Sequence, residues 1–182
     1  MSDNATGLGV RDDVDWESLA RQLGTLREDG ESGGDKHARD ALAAILGDSE
    51  LIRAVRYYVA WRPGAELVRS VLALLRPRVA ALECYRIFCD SEAIEERRAA
   101  VELLRVVGDA RTLDWLGEFI DDPDSVIRCW GAGLLKQLVW SDCIDAEEAE
   151  RWIAVIEAKA TDELRDAVAE IREALRRMQG SD

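Results

Sequence analysis

Catalysis needs a nucleophile, an acid–base pair or a metal, and the residues that could supply them are few in this chain. His37 is the only histidine, in KHARDALAAILG between Lys36 and Arg39. A Ser-His-Asp or Cys-His arrangement would have to use it, and its place just after a glycine-rich break reads as a solvated helix start. The cysteines are Cys84, Cys89, Cys129 and Cys143, with no C-x-x-C pair. They fit a reduced, cytoplasmic setting, and with one histidine no zinc site is expected. Neither GxxxxGK[ST] nor GxGxxG occurs, so no phosphate loop is present. Glu95/Glu96 and Glu147/Glu148 are adjacent, so on a helix they point to different sides and make poor acid–base pairs. The expectation is a protein that is not an enzyme, with no cofactor and no metal.

Charge offers more than catalysis does. The 182 residues carry a net charge of -13, a field that repels phosphates and attracts cationic partners. Within SDCIDAEEAE, Asp142, Asp145, Glu147, Glu148 and Glu150 stand with no base, between Trp140 and Trp152. Carboxylates would speed encounter with a basic surface and a tryptophan would hold it. The corner Asp121, Asp122 and Asp124 is expected on the same edge. The opposite sign gathers in residues 51–89, where seven arginines face only Glu66 and Glu83 and interleave with Tyr57, Tyr58, Trp61, Tyr85 and Phe88. Basic residues among aromatics can bind nucleic acid. Seven arginines with no lysine also suit fixed pairing to the acidic flanks, so nucleic acid is the lesser reading.

The elements that must position these residues are helices. Ala, Leu, Glu and Arg dominate and only three prolines occur. No segment alternates as a strand would. No run approaches the roughly 20 apolar residues of a membrane span, and the first residues lack a secretory pattern. Residues 1–14 read as a disordered acidic arm. A single domain is expected over 15–182, beginning with a helix at 15–28 capped by Asp15 and joined by a flexible loop at 28–36. Further helices are expected at 36–47, 49–61, 64–75, 78–89, 92–107, 110–120, 123–139, 145–157 and 161–178. Asp122 is expected to cap the seventh of these, with Pro123 at its first position, and Asp145 the eighth. DSELIRAVRYYV from Asp48 and DSEAIEERRAAV from Asp90 agree at half of their positions. Arg97-x-x-Ala100-Val101-x-x-Leu104 matches Arg128-x-x-Gly131-Ala132-x-x-Leu135, and Leu164-Arg165-x-x-Val168-Ala169 is a third copy. Helix pairs repeating at periods of roughly 30–45 residues are the mark of an α-solenoid.

Gly108-Asp109, Leu113, Leu116, the Asp122-Pro123 corner, Ile127-Arg128, Gly131-Ala132 and Leu135 together resemble HEAT-like repeats, in particular the short kind grouped with phycobilisome lyase-like proteins. The best-fitting part is 92–139, with weaker copies at 36–61 and 145–178. The resemblance implies an all-α fold of about four helix pairs in a right-handed superhelix. Taken together with the charge pattern, it leaves three kinds of function as expectations. The favoured one is a non-catalytic scaffold or inhibitor that binds a basic protein, such as an immunity protein covering a cationic toxin. A lyase or chaperone holding a small ligand or tetrapyrrole is the second, and nucleic-acid binding through residues 51–89 the third. The family includes alkylpurine DNA glycosylases with a cationic concave face, and the net charge here opposes that role. Candidate partner-binding residues are Trp130, Lys136 and Gln137 on one helix face, Arg98 and Glu102 on the neighbouring repeat, and Trp140, Asp142, Asp145, Glu147 and Glu148 on the acidic stretch. Arg128 is expected to reach an acidic group in the adjacent repeat, and Gly131 and Gly133 to let backbones approach closely.

Overall fold

Aspartate side chains set where several of the helices begin, in a computed structural model that describes residues 14–159 and 161–179. The expected arm at 1–14 lies, but for Val14, outside the described residues. Asp15 accepts the amide of Ser18 and starts α1, Trp16–Gln22. Asp145 accepts the amide of Glu148 at 2.7 Å, as its spacing predicts. At the Asp-Pro corner the cap is Asp124, not Asp122: its carboxylate accepts the amides of Val126 and Ile127. Pro123 therefore precedes the helix instead of occupying its first position. Asp122 faces inward and accepts the amide of Asp124, closing the turn that feeds the helix.

Contacts gather into two compact units, Met1–Gly47 and Asp48–Asp182. In the first, α1 stops at Gln22, short of the expected 28, because Gly24 takes a left-handed backbone (φ +70). A two-residue antiparallel ladder follows, with β1 (Leu26–Arg27) against β2 (Gly30–Glu31), where the end of the helix and a flexible loop were expected. Its tight return uses Gly30 at φ +152, and the ladder is too short for any alternation to show. The helix α2 spans Asp35–Leu46, and half-buried His37 lies in its first turn.

The second unit is helical throughout its described residues. It contains α3 (Asp48–Val59), α4 (Ala65–Leu75), α5 (Arg78–Asp90), α6 (Ile94–Val107), α7 (Leu116–Ile120), α8 (Ser125–Trp140), α9 (Ala146–Glu157) and α10 (Asp162–Gln179). A 3-10 turn at Ala110–Trp115 leads into α7. Neighbours in sequence pack as pairs: α3 with α4, α5 with α6, α7 with α8, α9 with α10. The second members follow one another, α4 on α6, α6 on α8 and α8 on α10. The first members are joined by α3 on α5 and by aromatics from α5 to α7. Tyr85 stacks on Trp115 with ring centroids 4.3 Å apart, and Phe88 meets Phe119 edge-on at 4.8 Å. The fold is all-α.

This order separates the internal matches. Arg97, Arg128 and Arg165 sit on α6, α8 and α10, equivalent members of successive pairs. The match between the stretches at Asp48 and Asp90 relates α3, a first member, to α6, a second member. The two stretches do not correspond in the packing, since Asp48 opens α3 whereas Asp90 closes α5 and α6 begins only at Ile94.

Small residues matter most where α8 crosses its pair partner. Ile127, Gly131 and Leu135 are buried, and a Cβ on Gly131 would lie 2.6 Å from Cβ of Phe119 on α7. Gly131→Ala should therefore destabilise the protein by about 1–3 kcal/mol through overpacking. Gly117→Ala, where a Cβ meets nothing within 4 Å, should be neutral or stabilise by up to about 1 kcal/mol through helix propensity. Urea unfolding of the two variants beside the parent measures the contrast.

Candidate functional site

Successive pairs are joined by guanidinium–carboxylate contacts, and these decide which charges are left for a partner. Glu83 on α5 is buried, and it accepts Nε of Arg56 from α3 at 2.7 Å and both Nε and Nη2 of Arg86 at 2.8 Å. Those hydrogen bonds, Arg86 foremost, hold its carboxyl below the usual range despite the opposing effect of burial. Asp122 binds Arg97 of α6, while Asp124 takes Nη2 of Arg98 at 2.7 Å. Arg98 likewise holds the Asp124 carboxyl below its ordinary range. Arg128 donates to the backbone carbonyls of Asp122 and Pro123 at 2.9 and 3.0 Å, bracing the corner from the start of its own helix.

Glu102, at the centre of α6, gathers three donors. Tyr58 of α3 donates its hydroxyl, while Arg69 of α4 and Arg105 of α6 each approach through Nη2 at 3.3 Å. Burial first, and the Glu102 carboxylate second, push the Tyr58 phenol up. Above these arginines a groove of about 480 Å³ runs between α4, α6, α8 and α10. Trp130, Lys136 and Gln137 line it with Arg69, Arg105 and Gly133. The opposite wall belongs to α10, with Asp166 and Glu170, and Lys136 crosses to Glu170 at 2.6 Å. Arg105 lies along Gly133, where a Cβ would come within 2.9 Å of Cδ. The close approach at Gly133 is thus of a side chain to the helix, unlike that at Gly131.

The candidate residues therefore fall into three places. Trp130, Lys136 and Gln137 share the groove. Glu102 contacts two of its arginines, and Arg98 sits apart, held by Asp124 and Glu95. Trp140 stands 59 % exposed in an adjoining hollow of about 280 Å³ that it lines with Lys136, Glu170 and Arg177. Beyond Trp140, Asp142, Asp145 and Glu147 are exposed and Glu148 half-buried. Among the described residues none of these four makes an ion pair.

The Asp-Pro corner and the acidic stretch do not share an edge, contrary to expectation. Asp121–Asp124 precedes α8 and the 141–150 stretch follows it, so a 16-residue helix of about 24 Å separates them. The corner lies with the turns inside pairs, where Lys159 pairs with Asp121. The 141–150 stretch lies with the turns between pairs, where Arg76 donates to Ser141 at 3.1 Å. Two acidic edges exist, and no single ridge joins them.

Sequence reasoning missed Arg69, Arg105, Asp166 and Glu170 as groove residues, because they come from three helices brought together only by packing. The glycine at 133 was the available signal. The arginines of 51–89 are largely engaged. Arg53 pairs with Glu50, Arg56 and Arg86 with Glu83, and Arg69 with Glu102. Arg62 sits 5.6 Å from the Tyr57 ring centroid. Of the interleaved aromatics, Tyr58 and Phe88 are buried and Trp61 is exposed. Among the described residues, no group of three or more His, Cys, Asp or Glu could hold a metal ion. No described helix is long and apolar enough to cross a membrane.

A carboxyl whose value falls on folding stabilises the protein above its unfolded value, about 3.9 for Asp. That contribution is lost as pH drops through the folded value. Asp124→Ala removes both a cap and the Arg98 contact, and should cost about 1–2 kcal/mol at pH 7. The gap between variant and parent should narrow below about pH 3.9, as followed by urea unfolding across pH. No family model, curated protein or solved structure matches this chain.

Proposed function

We propose that this chain is a non-catalytic scaffold or inhibitor that takes a basic protein along the edge at 141–150, with Trp140 as the anchor. The observation that carries the reading is the pairing of a mostly exposed tryptophan with carboxylates that have no cation of their own among the described residues, while Arg76 and Arg177 nearby are engaged with Ser141 and Glu173. Such carboxylates break no existing ion pair when a cationic surface arrives, and they draw it in over a long range. An exposed indole supplies the buried area that keeps it. The helix order, α4 on α6 on α8 on α10, supports a solenoid as the platform, since such stacks expose long edges. A cytoplasmic immunity protein that covers a cationic nuclease is the specific case that the size and charge fit. The groove's mixed charges suit a tetrapyrrole less than a deep apolar pocket would, and the engaged arginines speak against a nucleic-acid face.

Affinity capture from native lysate on the immobilised chain tests the reading. Basic proteins should be retained and released as salt rises. The triple change Asp142→Lys, Glu147→Lys, Glu148→Lys should slow association about tenfold or more. Trp140→Ala should chiefly speed dissociation. Partners without basic character, or equal capture by the triple variant, would reject it.

A further inference from the structure

We propose that the groove between α6 and α8 is a separate small-molecule site for a planar ring bearing an oxyanion at one end and a hydrogen-bond donor at the other. Donors without acceptors line its first wall. Arg69 and Arg105 each meet Glu102 through a single Nη2 at 3.3 Å, and neither has another partner among the described residues. A guanidinium carries five N–H groups, so most of theirs remain free beside the groove. One carboxylate shared by two guanidiniums leaves that wall with an excess positive charge. In a chain of net charge -13 this is a local reversal of sign.

The opposite wall has the complementary character. Asp166 on α10 lines the groove and makes no ion pair among the described residues, so it can accept from an amine or hydroxyl. Lys136 and Glu170 neutralise each other between the walls. Trp130 supplies a flat apolar side, and Gly133 leaves room above the backbone for Arg105 to lie there. The volume of about 480 Å³ falls within the roughly 300–1,000 Å³ of ordinary ligand sites. An oxyanion bound by Arg69 and Arg105, a ring against Trp130 and a donor to Asp166 would engage these groups together. Carboxylate and phosphate share this chemistry, and guanidinium pairs bind both.

Titration calorimetry of the whole chain with a graded set of probes tests the assignment. Binding should strengthen from acetate to benzoate to 4-aminobenzoate, which add the ring and then the donor. Adenosine monophosphate set against inorganic phosphate asks the same of the phosphate source. Arg105→Met should weaken 4-aminobenzoate about tenfold or more, and the fold should survive because Glu102 keeps Tyr58 and Arg69. Circular dichroism checks that point. Asp166→Asn should erase most of the preference for 4-aminobenzoate over benzoate, and Trp130→Leu most of that for benzoate over acetate. Absence of binding by both ringed probes at millimolar concentration overturns the proposal. So does binding that Arg105→Met, folded as the parent, leaves unchanged. Neither result bears on the acidic edge, whose residues lie outside the groove.

Discussion

A carboxylate taken out of water must find cations or hydrogen-bond donors, and this molecule answers that demand between successive helix pairs. Glu83, Glu102, Asp122 and Asp124 each receive an arginine from a neighbouring helix. The contacts tie one pair to the next at defined points, as where Arg98 meets the Asp124 carboxylate through Nε and Nη2. They also leave these arginines already engaged, although Arg56 and Arg86 stay exposed while Glu83 is buried. The carboxylates that remain without a cation among the described residues, such as Asp142, Asp145 and Glu147, are then the charges left for a partner.

Much of the fold could be read from the sequence because its signals are local. Glycine, proline and short polar caps mark most helix ends, and Asp145 caps as its spacing says. Legibility failed where a decision depended on distant chain. Asp122 and Asp124 are equally good caps by residue type, and only Arg97 and the inward turn reserve Asp122 for another task. Trp61, Arg76 and Asp142 adopt left-handed backbones (φ +47, +46 and +51), a conformation that their own residue types do not announce. The likeness of the Asp48 and Asp90 stretches misled because the same Asp-Ser-Glu opens α3 at Asp48 but links α5 to α6 at Asp90.

The site shows the same division. A helical wheel placed Trp130, Lys136 and Gln137 together, since all three lie within about two turns of α8. It could not supply Asp166 or Arg69, which arrive from the two helices that flank α8 and α6. Nor could it tell that the Asp-Pro corner and the 141–150 stretch occupy opposite ends of one helix. Two acidic edges separated by a groove of mixed charge give the unit three chemically distinct zones.

The packing of near neighbours along the second unit has a kinetic meaning as well. Most pairs that touch are successive or next-but-one in the chain, so little loop entropy is lost before contacts offset it. Interior helices, clasped on two sides, should then open last and terminal ones first, giving a gradient of local stability along the row.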